Sequence, residues 1–362
     1  METPSKRWST KALAVVFGLC VALLGGEAGV RLWGGEGELF VPMVGRTVAD
    51  LPVHMASPDP ELLYQLRPDV DVSLTAEDAA LWEEEARHAD DPRRMITNRF
   101  GFRGGPWEVE KEVGTVRVLC LGGSNTYGAA VSQGRDWPAQ LEAVLHERGA
   151  THVQVWNLGT DGYQTRQKIH LAEKAIEEWT PDLLVWQLAN TGPRVVLQPM
   201  AASVDAWLDP SGLPPDGGIY AENLATFPKP GSAWMLLVLR SALIRTTLVA
   251  WNRIRRSRGG GGPPAVLVER AEARSGGLFA NLVADGTAQH VLFVPPPSGR
   301  PPWFDGLDVP MVDLRDADKP DLPDVDLLHP GATVYRWYAE ELGDALLDGG
   351  CLEPGAEACA PG

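Results

Sequence analysis

The chain has 362 residues, 44% hydrophobic and 22% charged, enough apolar material to bury a sizeable core and too much for wholesale disorder. Its 48 acidic against 32 basic residues give a formal charge of −16, which makes nucleic acid and anionic membrane surface poor partners. Glycine (39) and proline (30) are abundant without a period, which excludes collagen and coiled coil. The four cysteines, at 20, 120, 351 and 359, show no spacing suited to zinc, and no metal or other cofactor is expected.

Lys6, Arg7 and Lys11 precede an uncharged apolar run from Ala12 to Gly26, shorter than the ~20 residues of an ordinary membrane span. The basic flank places the rest of the chain outside the cytoplasm. Residues 1–33 keep two main readings. Gly26-Glu27-Ala28 offers small residues where a signal peptidase reads, whereas Glu27 and Arg31, four apart, would carry a helix on through Trp33 and leave a retained anchor in an inner membrane. A buried N-terminal helix is a third. Leu19 before Cys20 argues against lipidation.

Residues 34–114 form a lead-in rich in proline and acid, expected to pack on the main domain. It holds a strand-like piece at Leu63 to Leu66 and a charged helical face from Trp82 to Asp91. It ends in a turn-and-strand signal, Asn98-Arg99-Phe100-Gly101-Phe102-Arg103-Gly104. From Thr115 the texture changes to strands alternating with amphipathic helices, which predicts a parallel α/β sheet.

The predicted strands are Val116 to Leu121, Val153 to Leu158, Leu183 to Leu188, Val291 to Val294 and Met311 to Leu314, with helices at Trp137 to Arg148 and Gln167 to Trp179. The domain, 115–347, carries an insert over about 191–289, far longer than a crossover needs. Within it Ala233 to Ile254 reads as an amphipathic helix followed by an arginine-rich stretch: a cover for the sheet, a lid, or a segment on the membrane surface. Residues 348–362 are a C-terminal tail.

Ligands of an open parallel sheet bind at the carboxyl ends of its strands. Strand one ends in Leu121-Gly122-Gly123-Ser124-Asn125, neither a phosphate loop nor a dinucleotide fingerprint nor a GxSxG elbow. Alone, it reads as a plain strand-to-helix turn. Strand two ends in Asn157-Leu158-Gly159-Thr160-Asp161-Gly162, a source of backbone N–H. Strand three ends in Ala189-Asn190-Thr191, a source of one carboxamide. Neutral donors beside a serine suit acyl transfer, where a carbonyl oxygen becomes negative in the transition state. Of the seven histidines, His54 and His88 lie in the lead-in, His146 and His170 in helices, and His152 and His290 at strand starts. His329 alone follows the last strand, at the opening of the final helix, with Asp326 three residues before it. That Asp can hold the ring tautomer whose other nitrogen faces a nucleophile.

These four blocks, in this order, resemble the SGNH (GDSL-type) hydrolases, over about residues 95–347. The segment Asn98 to Gly104 resembles the lead-in of bacterial membrane-anchored members. The resemblance implies a flavodoxin-like three-layer α/β/α fold with strand order 2-1-3-4-5. It implies Ser124 as nucleophile, His329 as base and Asp326 orienting it, with an oxyanion hole from the N–H of Ser124, the N–H of Gly162 and the side chain of Asn190. The implied activity is hydrolysis of a small O-acyl ester, acetyl in the first instance, of a carbohydrate or other polar molecule. O-acyl transfer to a glycan hydroxyl, or glycan or partner binding by an inactive relative, remain open. Two positions depart from the family: Gly123 stands where Asp is usual, and Ala189-Asn190-Thr191 where Gly-x-Asn-Asp is typical.

Cys351 and Cys359 bracket a Pro-Gly turn that would bring the sulfurs together, and an exported location would let a disulfide persist. The alternative is an unpaired, disordered tail. Cys120, on the central strand, is expected as a buried thiol.

Overall fold

The computed structural model describes residues 10–34, 53–74 except 60 and 63, 93–188 except 130, the positions 241, 243, 244, 247 and 254, then 265–296, 306–318, and 329–361 except 357 and 358. The charged stretch from Trp82 to Asp91 lies outside them, as does most of the helix expected over Ala233 to Ile254, of which Leu243, Ile244, Thr247 and Ile254 are helical.

Helix α1 spans Thr10–Gly34. Its stretch Ala14–Leu32, 19 residues with mean hydropathy 1.7, is long and apolar enough to cross a membrane, and none of its apolar window is buried by protein. At about 1.5 Å per residue those residues match a hydrocarbon core of about 30 Å. The apolar run looked short because Glu27 interrupts it. In the helix that carboxylate is paired one turn on, with Arg31 Nε at 2.7 Å. Glu27 also accepts from Ser241 Oγ (2.8 Å) and the Leu243 N–H (3.1 Å), so the end of α1 sits against the insert.

The lead-in contributes two antiparallel pairs, β1 (His54–Ala56) with β2 (Tyr64–Leu66) and β3 (Asp71–Leu74) with β4 (Arg93–Ile96). The main sheet contains β5 (Val116–Leu121), β6 (Val153–Asn157), β7 (Leu183–Gln187), β8 (Gln289–Val294) and β9 (Met311–Asp313), ordered β6-β5-β7-β8-β9 and parallel throughout. Counting from β5, that is the expected order 2-1-3-4-5. Every residue of β5 and β7 is buried, because helices cover both faces. On one face Ile169, Ala172 and Trp179 of α4 (Thr165–Trp179) and Phe279 and Leu282 of α5 (Ala265–Asp285) pack over Leu119, Leu184 and Leu292. On the other, Trp137, Leu141 and Leu145 of α3 (Trp137–Glu147) and Tyr335, Tyr338 and Leu342 of α6 (Ala332–Asp348) pack over Val118, Val185 and Phe293. The result is a three-layer α/β/α sandwich, with one further turn of helix, α2 (Ser124–Tyr127), directly after β5.

Helix α5 has no counterpart in the sequence reading, which left 265–285 inside the insert. Gly276 and Gly277 cost a helix about 1 kcal/mol each and mask its period. Packing overrides them: Phe279 is fully buried and meets Trp186 edge-on at 4.9 Å. The C-terminal segment also differs from a loose tail. Cys351 and Leu352 belong to the core, the Leu352 carbonyl lies 2.9 Å from His152 Nε2, and Cys351 is joined to Cys359 with their Cα atoms 4.4 Å apart.

Candidate active site

Because β5 and β6 are paired neighbours running parallel, the segments after them leave the same edge of the sheet side by side. Gly122 and Gly123 make the turn, and Ser124 opens α2, half-buried. The strand-two block folds directly onto it. The Thr160 N–H lies 3.4 Å from the Gly122 carbonyl, and the Leu158 N–H donates to the Cys120 carbonyl at 2.9 Å. Gly159 is required at this contact, since a β-carbon there would run into the backbone of Thr126 and Tyr127. Gly162 sits in the following turn with φ +75°, and its carbonyl accepts from Gln164 Nε2 at 2.9 Å. Ser124 and Gly162 thus occupy adjoining turns. Gly123, by contrast, is not demanded by space: a β-carbon there would meet only the Tyr163 carbonyl, at 3.7 Å.

His329 is buried in the segment between β9 and α6. It precedes the helix, which is N-capped by Gly331, rather than lying in its first turn. The start of α6 is tied to α3 by Gln140 Nε2 donating to the Ala332 carbonyl at 2.9 Å. Asp326 and Asn190 lie outside the described residues.

The remaining described histidines have structural partners. His146 and His152 contact backbone carbonyls at 2.8 and 2.9 Å, and His170 pairs with Asp59 at 2.9 Å. His290 accepts from Trp186 Nε1 at 3.1 Å, and burial lowers its pKa to about 4. His54 comes nearer to α2 than its place in the lead-in suggests, with its ring edge-on to Tyr127 at 6.0 Å. Burial, assisted by Arg67, lowers its pKa to about 4 and keeps it neutral.

Beneath α2 lies a buried polar network that sequence reasoning missed. Thr126 Oγ1 donates to Gln187 Oε1, which also accepts from Trp137 Nε1 at 3.2 Å. Asn157 Nδ2 donates to the Thr126 carbonyl (2.7 Å) and to Asp136 Oδ1 (2.9 Å), while Asn157 Oδ1 accepts from the Gly159 N–H (2.8 Å). Asp136 also caps α3 by accepting from the Ala139 N–H. Arg103 completes the network from the lead-in, its NH1 donating to the carbonyls of Tyr127 (2.8 Å) and Gly128, and its NH2 to that of Val131 (2.7 Å). The only local signals are Asp136-Trp137-Pro138, a helix start, and an arginine at the end of a turn motif.

No family model and no curated protein matches the chain. Among solved structures it is similar to the psychrotrophic esterase EstA from Pseudoalteromonas sp., at 14% identity over 64% of this chain and 97% of that one, TM-score 0.34. It is also similar to TesA, at 13% identity over 62% and 95%, TM-score 0.33. A third is AlinE4, an SGNH-hydrolase family esterase, at 17% identity over 66% and 97%, TM-score 0.30.

Proposed function

We propose that the chain is a serine ester hydrolase of the SGNH type, held at the outer face of a membrane by α1 and cleaving a small O-acyl ester, acetyl in the first instance, from a carbohydrate or related polar alcohol. The observation that carries this reading is the placement of Ser124. It opens a helix at the carboxyl end of strand 1 of a 2-1-3-4-5 sheet, an interior strand between strands 2 and 3, with the Gly159–Gly162 turn folded against it. Substrate size and polarity rest on the family resemblance alone.

In this mechanism the Ser124 hydroxyl attacks the ester carbonyl and passes its proton to His329, held in the right tautomer by Asp326. The oxyanion is met by the N–H groups of Ser124 and Gly162 and the Asn190 carboxamide. His329 then protonates the leaving alcohol, and water, deprotonated by the same imidazole, releases the acid and restores the serine. The test is labelling by a fluorophosphonate with peptide mapping. Wild type is expected to be labelled at Ser124 and to hydrolyse p-nitrophenyl acetate, and a folded Ser124→Ala protein to do neither. Activity retained by Ser124→Ala would end the assignment.

The bonds from Glu27 to Ser241 and Leu243 support retention of α1, because cleavage after Ala28 would sever the carboxylate from them. Membrane fractionation with N-terminal sequencing tests this. A mature protein beginning after residue 28 would overturn the anchor.

A further inference from the structure

We propose that Arg103 is a positioning residue for Ser124, fixing the single turn of helix on which that side chain stands; the proposal rests on the reading of Ser124 as nucleophile. A four-residue helix has no stability of its own, so its orientation is set by what holds its ends. Its beginning continues from β5. At its end the carbonyls of Tyr127, Gly128 and Val131 all accept from one guanidinium. The Thr126 carbonyl is taken by Asn157, so the end of the turn is pinned by a planar fork and a carboxamide. Arg103 is wholly buried, and Asp136 Oδ2, equally buried, stands 3.4 Å from its Nε as counter-ion. Gly128 is required beside it: φ is +77°, and a β-carbon would come within 2.7 Å of Arg103 NH1.

The fork is itself presented by a rigid turn. Asn98 Oδ1 accepts from the N–H groups of Phe100 (3.0 Å) and Phe102 (3.2 Å), and Gly101, at φ +77°, crosses close over the Leu66 carbonyl. Phe102 then points the opposite way to Arg103, stacking on Trp107 at 5.2 Å beside Trp179. The seven residues from Asn98 to Gly104 therefore form a bracket with one side in an aromatic cluster and the other at the end of the helical turn that Ser124 opens.

The experiment follows the time course of fluorophosphonate labelling of full-length protein in detergent, for wild type, Arg103→Lys and Arg103→Met/Asp136→Asn. Lysine keeps the charge but cannot span three carbonyls, and the double variant removes the charge pair together. Both are expected to be labelled to completion with a rate constant lower by about 10- to 100-fold, the upper figure being the cost of a misplacement of about 1 Å. The kcat for p-nitrophenyl acetate should fall in parallel, with KM changed by less than about threefold. A purely structural role predicts the opposite pattern, a smaller labelled fraction at the wild-type rate constant. That pattern in both variants would overturn the proposal, while wild type unlabelled at Ser124 would overturn it together with the assignment of the nucleophile.

Discussion

Arg103 reaches from the lead-in into the α/β domain as a wholly buried guanidinium, and about forty residues earlier Asp59 does so as a carboxylate, yet the two contacts differ in kind. Around Arg103 the partners are backbone carbonyls and one buried aspartate, and solvent is excluded. Asp59 instead accepts from His170 (2.9 Å) and Lys174 (2.8 Å) on α4, in surroundings that keep both partly in water, while beside it Glu61 and Arg166 form a second buried pair at 3.2 Å. A buried pair is worth little as a bond but is costly to break, since one charge is left behind without water. The half-exposed cluster around Asp59 is screened, and each of its members contributes less. The first contact specifies geometry beneath the serine, and the second fastens the lead-in to a helix.

The largest expected effect breaks the first contact alone. Arg103→Met strands Asp136 as an unpaired buried charge at a cost of about 3 to 5 kcal/mol, a fall in Tm on the order of 10 °C for a domain of this size. Adding Asp136→Asn should restore much of that stability without restoring the labelling rate. Differential scanning fluorimetry beside the labelling assay checks this. Equal losses in the single and double variants would mean the pair is not coupled.

The two contacts also differ in how far sequence discloses them. The strands, the serine turn and the lead-in turn were legible because each is local: apolar runs for β5 and β7, glycines before Ser124, and Asn98 with Gly101; the order of the strands came from the family resemblance. The partners of Arg103 were not, because Asp136 lies 33 residues on and nothing in either segment announces the other. The same limit hid α5, whose two glycines erase its helical period although Phe279 anchors it. Glu27 shortened the apparent apolar run because a carboxylate paired one turn away reads in sequence as a bare charge.

A middle-sized effect serves as a control remote from both contacts. The Cys351–Cys359 bond closes a short loop packed on the α3/α6 face of the sheet. Removing it by Cys351→Ser/Cys359→Ser frees the unfolded chain by about 2 to 3 kcal/mol in the entropy model. Because Cys351 and Leu352 are core residues, the loss should appear as a lower Tm of the whole domain. The labelling rate at Ser124 should stay at the wild-type value. A slowed rate would show that stability and positioning are not separable here, and would blunt the contrast with Arg103.

The smallest expected effect is the one that pH reads directly, and it belongs to the second contact only. Burial disfavours the charged ring of His170, but its hydrogen bonds to Asp59 and Glu173 and the charges of Asp59 and Glu61 outweigh this and raise its pKa to about 9. Burial works against the Asp59 carboxylate as well, and its hydrogen bonds with His170 and Lys174 hold it well below the usual range. For His170 the folded value lies above the unfolded one, near 6.5. Its contribution is therefore complete below about pH 6.5 and drains away as pH rises through about 9. For Asp59 the sign is reversed: its contribution is present above the unfolded carboxylate value and is lost only in acid. Between about pH 6.5 and 9 the fastening should weaken by about 1 to 2 kcal/mol, allowing for its partial exposure. Other groups titrate in that window, so the informative quantity is the difference between wild type and His170→Gln, measured as unfolding free energy at intervals from pH 6 to 9. Wild type should lose its advantage over His170→Gln as pH rises. A pH-independent difference for His170→Gln would reduce that contact to an ordinary hydrogen bond.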